Sequence, residues 1–591
     1  LGTYLIDHLQ INILLNIFTS MNFKVKVEDR QYSTFEYLDT KTLRKSDHVF
    51  DKSPLEMKLF NQDIIDEDYN VLHSSVRAMR FIPGVLILSD GKTYGRSGGM
   101  VTRPYFYYRC IPDDRRLPEF LVSFRIKDDF SKYTVNKYIV FRFKDWVQKH
   151  PVATCENSLG NVTELPNFYE YQLYCKSLYA SIQLFKKDTY RKLKEENIET
   201  YIGMIFWKNE IEDRTDKHIY SIDPTNSKDF DDAFGIQMCN DKDYYILSIY
   251  ISNVSFWLDV LDLWESFSKR ISTIYLPDRK RPMLPTILSD AICSLVEGEK
   301  KFAFTLDLHI NKEREEIVKY NFVNTMINVK KNYRYDTNEL DNPDVKLAFL
   351  SVKNLNKYYK YVDRIENTHD MIAYMMIMMN YYCARFLKME KTGLFRSAKI
   401  NQAYDPPEHV PQEINKFLKL WHSFGGQYCD YKNFESHDLL ELDAYVHITS
   451  PIRRLPDLLN IIIIQDKMGL VSLKGNRKTF LEGWMKPESI EYINQTMRSI
   501  RRVQNDCNLL DLCSKDDTIK DKVFEAFVFD KIVRNDALYQ YMVFMPEFKM
   551  TNRFTSRHDI ELYSKQNFKV YVFMDEIRLK QKIRIEIQLE E

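Results

Sequence analysis

The stretch Ile222-Asp223-Pro224-Thr225-Asn226-Ser227-Lys228-Asp229-Phe230-Asp231-Asp232-Ala233 decides how this 591-residue chain is read. Four carboxylates fall within ten residues, three of them in a four-residue window. Held so close, they repel one another unless cations neutralise them. In an extended segment Asp229 and Asp231 share one face and Asp232 points away, while a turn over 224–227 returns Asp223 towards them. Oxygen-only ligands select Mg²⁺ or Mn²⁺ over zinc. Two such ions can hold the attacking and leaving oxygens of an in-line phosphoryl displacement. Alone, however, such a run reads more simply as an exposed acidic turn.

A second stretch changes that balance. Tyr445-Val446-His447-Ile448-Thr449-Ser450-Pro451-Ile452-Arg453-Arg454-Leu455-Pro456-Asp457 sets two guanidinium groups after a Ser-Pro helix start. Arginines and a helix N-terminus both suit phosphate. Alone, this stretch too is a salt-bridged surface helix.

Outside these stretches the chain reads as several domains, too long for a single core. Residues 22–161 carry short alternating runs such as Phe23–Val27, 120–125 and 137–143. Asp90-Gly91-Lys92, Gly98-Gly99 and Pro112-Asp113-Asp114 break them up, which predicts two small barrels. The GRSGG run at 95–99 lacks the spacing of a phosphate loop. A helical connector follows over 166–203, then a long mixed segment. Within it, 367–387 is a helix whose Met371, Met375, Met376, Met378 and Met379 read as core filler. Strand-like runs at 523–529, 541–545, 568–573 and 583–588 predict a third barrel. Residues 1–20 fit a packed helix better than a signal peptide or membrane span.

Composition excludes little. Hydrophobic residues at 44% and charged residues at 28% are ordinary for a globular protein. Net charge is zero, so the whole molecule presents no basic field; a channel needs only local charge, as from Arg279-Lys280-Arg281, Arg453-Arg454 or Arg501-Arg502. The 39 Tyr and 37 Phe supply core and a reserve of base-stacking rings. Nine Cys without CxxC or zinc spacing read as reduced thiols of a soluble intracellular protein with no structural zinc.

Together the two stretches, IDPTNSKDFDDA and YVHITSPIRRLPDLL, resemble the signatures of the RNB exoribonucleases, the family of bacterial ribonucleases II and R and of the exosome's processive nuclease. A third block, TIYLPDRKRPMLPTILSDAICSL (273–295), lies between them in the family's order. The resemblance implies a multidomain α+β protein. Its RNB catalytic domain is flanked by two N-terminal cold-shock-like OB β-barrels and one C-terminal RNA-binding OB β-barrel. The implied bounds are an N-terminal segment 1–22, barrels at 23–97 and 98–163, a connector at 164–214, the RNB domain at 215–520 and the last barrel at 521–591. The spacing of VFMPEFKMTNRF (543–554) is similar to exosome-type relatives.

What the resemblance implies for function is a Mg²⁺- or Mn²⁺-dependent 3′-5′ exoribonuclease that hydrolyses single-stranded RNA to nucleoside 5′-monophosphates. Asp223, Asp229, Asp231 and Asp232 would form the metal centre, with Asp229, Asp231 and Arg453 in the chemistry. Tyr275, Arg453, Arg454 and Arg396 would contact RNA, Tyr275 by stacking on the 3′-terminal nucleotide. Single-stranded RNA is the implied partner and no membrane is; compartment and membership of an exosome-like or organellar degradation complex stay open. The chain also departs from the family pattern. Ala373-Tyr374 replace a usual Glu pair, although Asn380 and Ala384 still align. Tyr250-Ile251-Ser252-Asn253-Val254-Ser255 loses a His and an Asp, Asn460-Ile461-Ile462 replaces a usual VHR, and Gln504 stands where many relatives have an acidic residue or Gln. The other reading is therefore a catalytically weak scaffold that binds RNA or assembles a degradation complex.

Overall fold

The computed structural model describes residues 22–97, 105–126, 134–239, 242–335, 338–400, 408, 410–422 and 426–588. The helix expected over 1–20 and the turn at Gly98-Gly99 lie outside the described residues. The chain divides into two compact units, one from the residues up to 179 and from 503 onward, the other from 180 to 502. Among the described residues no helix is long and apolar enough to cross a membrane.

The first unit holds three sheets. Phe35–Asp39, Phe23–Val27, Ile64–Ile65 and Val71–His73 lie in that order in a four-stranded sheet. Phe23–Val27 alternates buried and half-buried residues, as the sequence pattern predicts for a strand with one core face. A six-stranded sheet follows, in which Ile82–Leu86 pairs with both Lys137–Asp145 and Tyr105–Pro112 and so closes a small barrel. Gly84 permits the closure, because a Cβ there would stand 2.7 Å from Cys110 Sγ and 2.9 Å from the Phe141 ring.

The boundary expected at 97/98 is corrected by this pairing: the break between sheets falls between His73 and Ile82. Nor do the two sheets keep separate cores, since Phe23, Val25 and Phe60 share one apolar cluster with Phe120, Ile139 and Phe141. The C-terminal sheet runs Met550–Ser556, Tyr539–Met545, Phe524–Val533, Lys565–Asp575, Lys580–Ile587, each pair antiparallel. Its core includes Leu509 and Cys513, from the end of the helix Pro487–Lys515.

The second unit is built on a seven-stranded mixed sheet. Its order is Glu212–Arg214, Ile317–Asn328, Lys300–Asn311, Tyr244–Ser252, Asp232–Met238, Tyr220–Asp223, Lys331–Arg334. Lys300–Asn311 is buried almost throughout, which marks a strand covered on both faces. Helices pack around it with clear start signals. Asn342 caps Pro343–Tyr358 with proline in its first turn, and Asn367 with Asp370 forms a capping box on Thr368–Met389. In that second helix Met371, Met375, Met378 and Met379 are buried and Met376 is half-buried, so the methionine face is core. Tyr374 is fully buried and donates to the Tyr359 carbonyl at 2.9 Å.

Candidate active site

The acidic stretch leaves the sheet at Asp223 and re-enters it at Asp232. Between them the predicted turn is present, closed by Ser227 N–H donating to the Pro224 carbonyl at 3.0 Å. The loop is pinned from the third sequence block. Ser294 Oγ accepts from Phe230 N–H at 2.9 Å and donates to the Lys228 carbonyl at 2.9 Å, while Leu295 N–H donates to the Phe230 carbonyl. Because 229–231 is a loop and not a strand, the simple alternation that turned Asp232 away does not apply. All four aspartates line one cleft of about 590 Å³ with Tyr275, Lys280, Asp290 and Arg453.

Arg453 reaches this cleft from a tight turn. The sequence suggested a helix beginning at Ser450-Pro451; the helix in fact begins at Leu455, with Arg454 as its N-cap. The two arginines stand in the preceding turn because Pro456 fits the first helical turn and Asp457 ties the turn down. Asp457 Oδ1 accepts from Ser450 N–H at 2.8 Å and from Arg454 Nη2 at 2.8 Å. From the third block, Thr273 N–H and Ser272 Oγ both donate to the Arg453 carbonyl at 2.9 Å. Asn380, on the helix Thr368–Met389, supports the same block by accepting from Ile448 N–H and donating to Tyr445 Oη, each at 2.9 Å.

Asp231 connects the two main stretches. It is 2% exposed and accepts from Ile452 N–H and from Arg453 Nε, both at 2.9 Å. Burial pushes its carboxyl up to about 7, even though Arg453 opposes the shift. Asp223 accepts from Ser221 Oγ at 2.8 Å and is pushed up to about 6, mainly by burial. Asp232 is driven well above the carboxylate range by burial and by the charges of Asp223 and Asp231. For Arg453 burial works against the charged form, but Asp231 outweighs it and holds the guanidinium protonated.

A second pairing was missed by the sequence reading. Lys280 Nζ bridges Asp229 at 3.0 Å and Asp290 at 2.9 Å, and Tyr275 Oη donates to Asp229 at 3.1 Å. Tyr275 and Lys280 face each other across a two-stranded hairpin, Ile274–Tyr275 with Lys280–Arg281, closed by Pro277-Asp278. The hairpin was legible in the order Tyr-Leu-Pro-Asp-Arg-Lys, since proline and aspartate favour turns. Tyr275 is 40% exposed at the cleft and not a core residue.

The other two expected RNA contacts are not brought to this cleft. Arg454 is engaged with Asp457, and Arg396 lies over the Tyr428 ring at 4.9 Å, its pKa lowered by burial despite that ring.

Five carboxyl groups in the cleft face three basic side chains, Lys228, Lys280 and Arg453, so the acidic groups outnumber the basic ones. The donor set is all oxygen, so it fits a hard divalent cation. The four aspartates share a cleft but do not form a ready ligand cage. Among the described residues no three Asp, Glu, His or Cys side chains are gathered to hold a metal. Asp231 is turned to Arg453 and Asp229 to Lys280. Asp223 raises the pKa of Asp232, and these two, both shifted up by burial, are the pair whose charge a cation would relieve.

Comparison with known proteins agrees with this layout. Residues 211–340 match the RNB domain family model. Ribonuclease R of Ureaplasma parvum is 30% identical over 224 residues, 36% of this chain and 29% of that protein. The first curated relatives are matched over 20% to 49% of their own length. Mycoplasma genitalium RNase R, solved in complex with ribose methylated single-stranded RNA, superposes with a TM-score of 0.66 at 15% identity, covering 96% of this chain and 100% of that one. Yeast Ssd1, described as a pseudonuclease, gives a TM-score of 0.55 at 12% identity over 92% of this chain and 80% of its own. At these identities the structural likenesses are of fold alone. This chain carries an RNB domain, and it shares its fold with ribonuclease R.

Proposed function

We propose that the chain is a divalent-metal-dependent exoribonuclease that hydrolyses single-stranded RNA from its 3′ end and releases nucleoside 5′-monophosphates. The observation that carries this reading is the junction of the two sequence stretches at Asp231 and Arg453, 2.9 Å apart in a cleft where carboxyl groups outnumber basic side chains. Mg²⁺ or Mn²⁺ held by Asp223 and Asp232, with Asp229 and Asp231 beside them, would supply Lewis acidity at the scissile phosphodiester. Asp231 holds Arg453 by its Nε, and the Arg453 side chain is 44% exposed, so the rest of its guanidinium is available to a phosphate oxygen. As the P–O3′ bond breaks, charge grows on the phosphoryl oxygens, and a guanidinium fixed in advance stabilises it without reorganising. Tyr275, held by its hydroxyl to Asp229, offers a ring at the cleft for the terminal base. Lys280 fixes Asp229 and so keeps this ring support in place.

A binding scaffold without turnover is the second reading. Its support is Tyr374, whose buried ring has made core out of a position that is acidic in the family. To separate the readings, matched single-stranded RNA and DNA 20-mers are incubated with the chain and Mg²⁺, and the products resolved by chromatography. Nucleoside 5′-monophosphates from RNA alone support the enzyme; RNA that is bound but remains intact supports the scaffold.

A further inference from the structure

A second cavity, in the first unit and separate from the aspartate cleft, has features of a binding site. It measures about 260 Å³, near the lower end for small-ligand pockets. Its wall is drawn from the helix Leu165–Cys175, the last turns of Pro487–Lys515, and the strands Met550–Ser556 and Lys580–Ile587. Among the described residues, one atom of each of two glutamine amides on this wall lacks a hydrogen-bond partner. Gln172 is 6% exposed and its Nε2 makes no hydrogen bond; Gln581 Oε1 is likewise buried and unbonded. A buried amide atom without a partner is costly, and two on one cavity wall offer a polar ligand hydrogen bonds that the protein itself does not fill. An amide pair offers donors and acceptors whichever way each group is turned.

Charge narrows the choice. Of the four basic residues on the wall, Lys580 pairs with Asp113 and Lys582 with Asp575. Lys176 and Arg578 remain on a wall whose lining carboxylate is Asp506, with Arg578 also acting on Asp114, so two cations face the cavity. Phe168 contributes an aromatic ring to the same wall. Paired amides suit the hydrogen-bonding edge of a base, an aromatic ring suits its face, and a lysine and an arginine suit a phosphate.

We propose that this cavity binds a single nucleotide, with Gln172 and Gln581 reading the base edge and Lys176 and Arg578 holding the phosphate. The nucleotide is either a free mononucleotide or one unit of an RNA strand. The proposal does not depend on the nuclease reading, because no residue of the aspartate cleft takes part.

The test uses the full chain in EDTA, so that RNA survives. Calorimetry measures binding of each nucleoside 5′-monophosphate, of ribose 5-phosphate, of inorganic phosphate and of a single-stranded RNA 12-mer. The variants are Gln172→Leu and Arg578→Gln; the second changes a half-buried turn residue and keeps the test valid if the first misfolds. Mononucleotide binding weakened roughly tenfold by each variant, with ribose 5-phosphate weaker than any nucleotide, supports the free-nucleotide form. Loss confined to the 12-mer supports the strand form. Phosphate or ribose 5-phosphate binding as tightly as the nucleotides overturns the base-reading role. Binding untouched by either variant overturns the site.

Discussion

Replacing Asp231 with asparagine removes the most deeply buried charge of the aspartate cleft, and the structure sets the size of its effect on stability. The carboxyl is held at about 7 by burial, whereas an unfolded aspartate titrates near about 3.9. Between those values the folded state binds more protons than the unfolded one, so stability falls as pH rises. The contribution is present in full below about pH 3.9 and is lost as pH climbs through about 7. From pH 5 to pH 8 the loss from this one residue is about 2.5 kcal/mol in metal-free protein. The amide that replaces the carboxyl does not titrate and lacks that slope. It brings instead a pH-independent cost of about 1–3 kcal/mol, because its NH₂ faces one of the two donors, Ile452 N–H or Arg453 Nε, whichever way the amide is turned. Asp223 and Asp232 contribute slopes of the same sign in both proteins; Asp232 loses the push of the Asp231 charge in the variant, so the difference reports Asp231 together with its effect on Asp232. The assay is urea unfolding in EDTA at pH 5 and pH 8, followed by fluorescence of the buried Trp257 and Trp264 of the second unit. The wild type should lose its advantage over Asp231→Asn as pH rises, and added Mg²⁺ at pH 8 should return more stability to the wild type. Parallel pH dependence of the two proteins would refute the assignment of a carboxyl raised by burial at Asp231.

Two further outcomes follow from the same geometry. Lys280→Met strands Asp229 and Asp290, whose side chains are 11% and 24% exposed. It should cost about 2–3 kcal/mol in EDTA, below the figure for fully buried pairs. Part of that loss should return with Mg²⁺, as a melting-temperature series would report. Tyr275→Ala should weaken binding of a 3′-terminal nucleotide by about 1–3 kcal/mol, while Tyr275→Phe retains the ring and most of the affinity. Fluorescence anisotropy on short RNA measures both, and equal loss in the two variants would assign the effect to the hydroxyl bond with Asp229.

How much was legible in the sequence depended on where each partner lay in the chain. Asp223, Asp229, Asp231 and Asp232 are close in sequence, so their clustering needed only a turn, and the turn residues were visible. Arg453 was legible as a motif, but its meeting with Asp231 spans 222 positions and rests on Ser272, Thr273 and Asp457 holding a loop. Lys280 was seen only as part of a basic run. Its bridge between Asp229 and Asp290 depends on hairpin register and on a π-helical turn at Leu288–Ile292, which no side-chain pattern announces. The Met-rich helix was read correctly as core because periodicity alone decides that question. The break between the N-terminal sheets was misplaced for the opposite reason. The strand Ile82–Leu86 carries no local sign of which sheet it will close, and only its pairing with Tyr105–Pro112 and Lys137–Asp145 assigns it.

The measurement that bears most directly on the central claim uses 5′-labelled single-stranded RNA and Mg²⁺, with wild type, Asp231→Asn and an EDTA control side by side. The account predicts a ladder shortening from the 3′ end with the wild type, no ladder in EDTA, and a rate lower by orders of magnitude for Asp231→Asn with RNA affinity retained. Tight binding by the wild type with the RNA left intact in both Mg²⁺ and Mn²⁺ would contradict it.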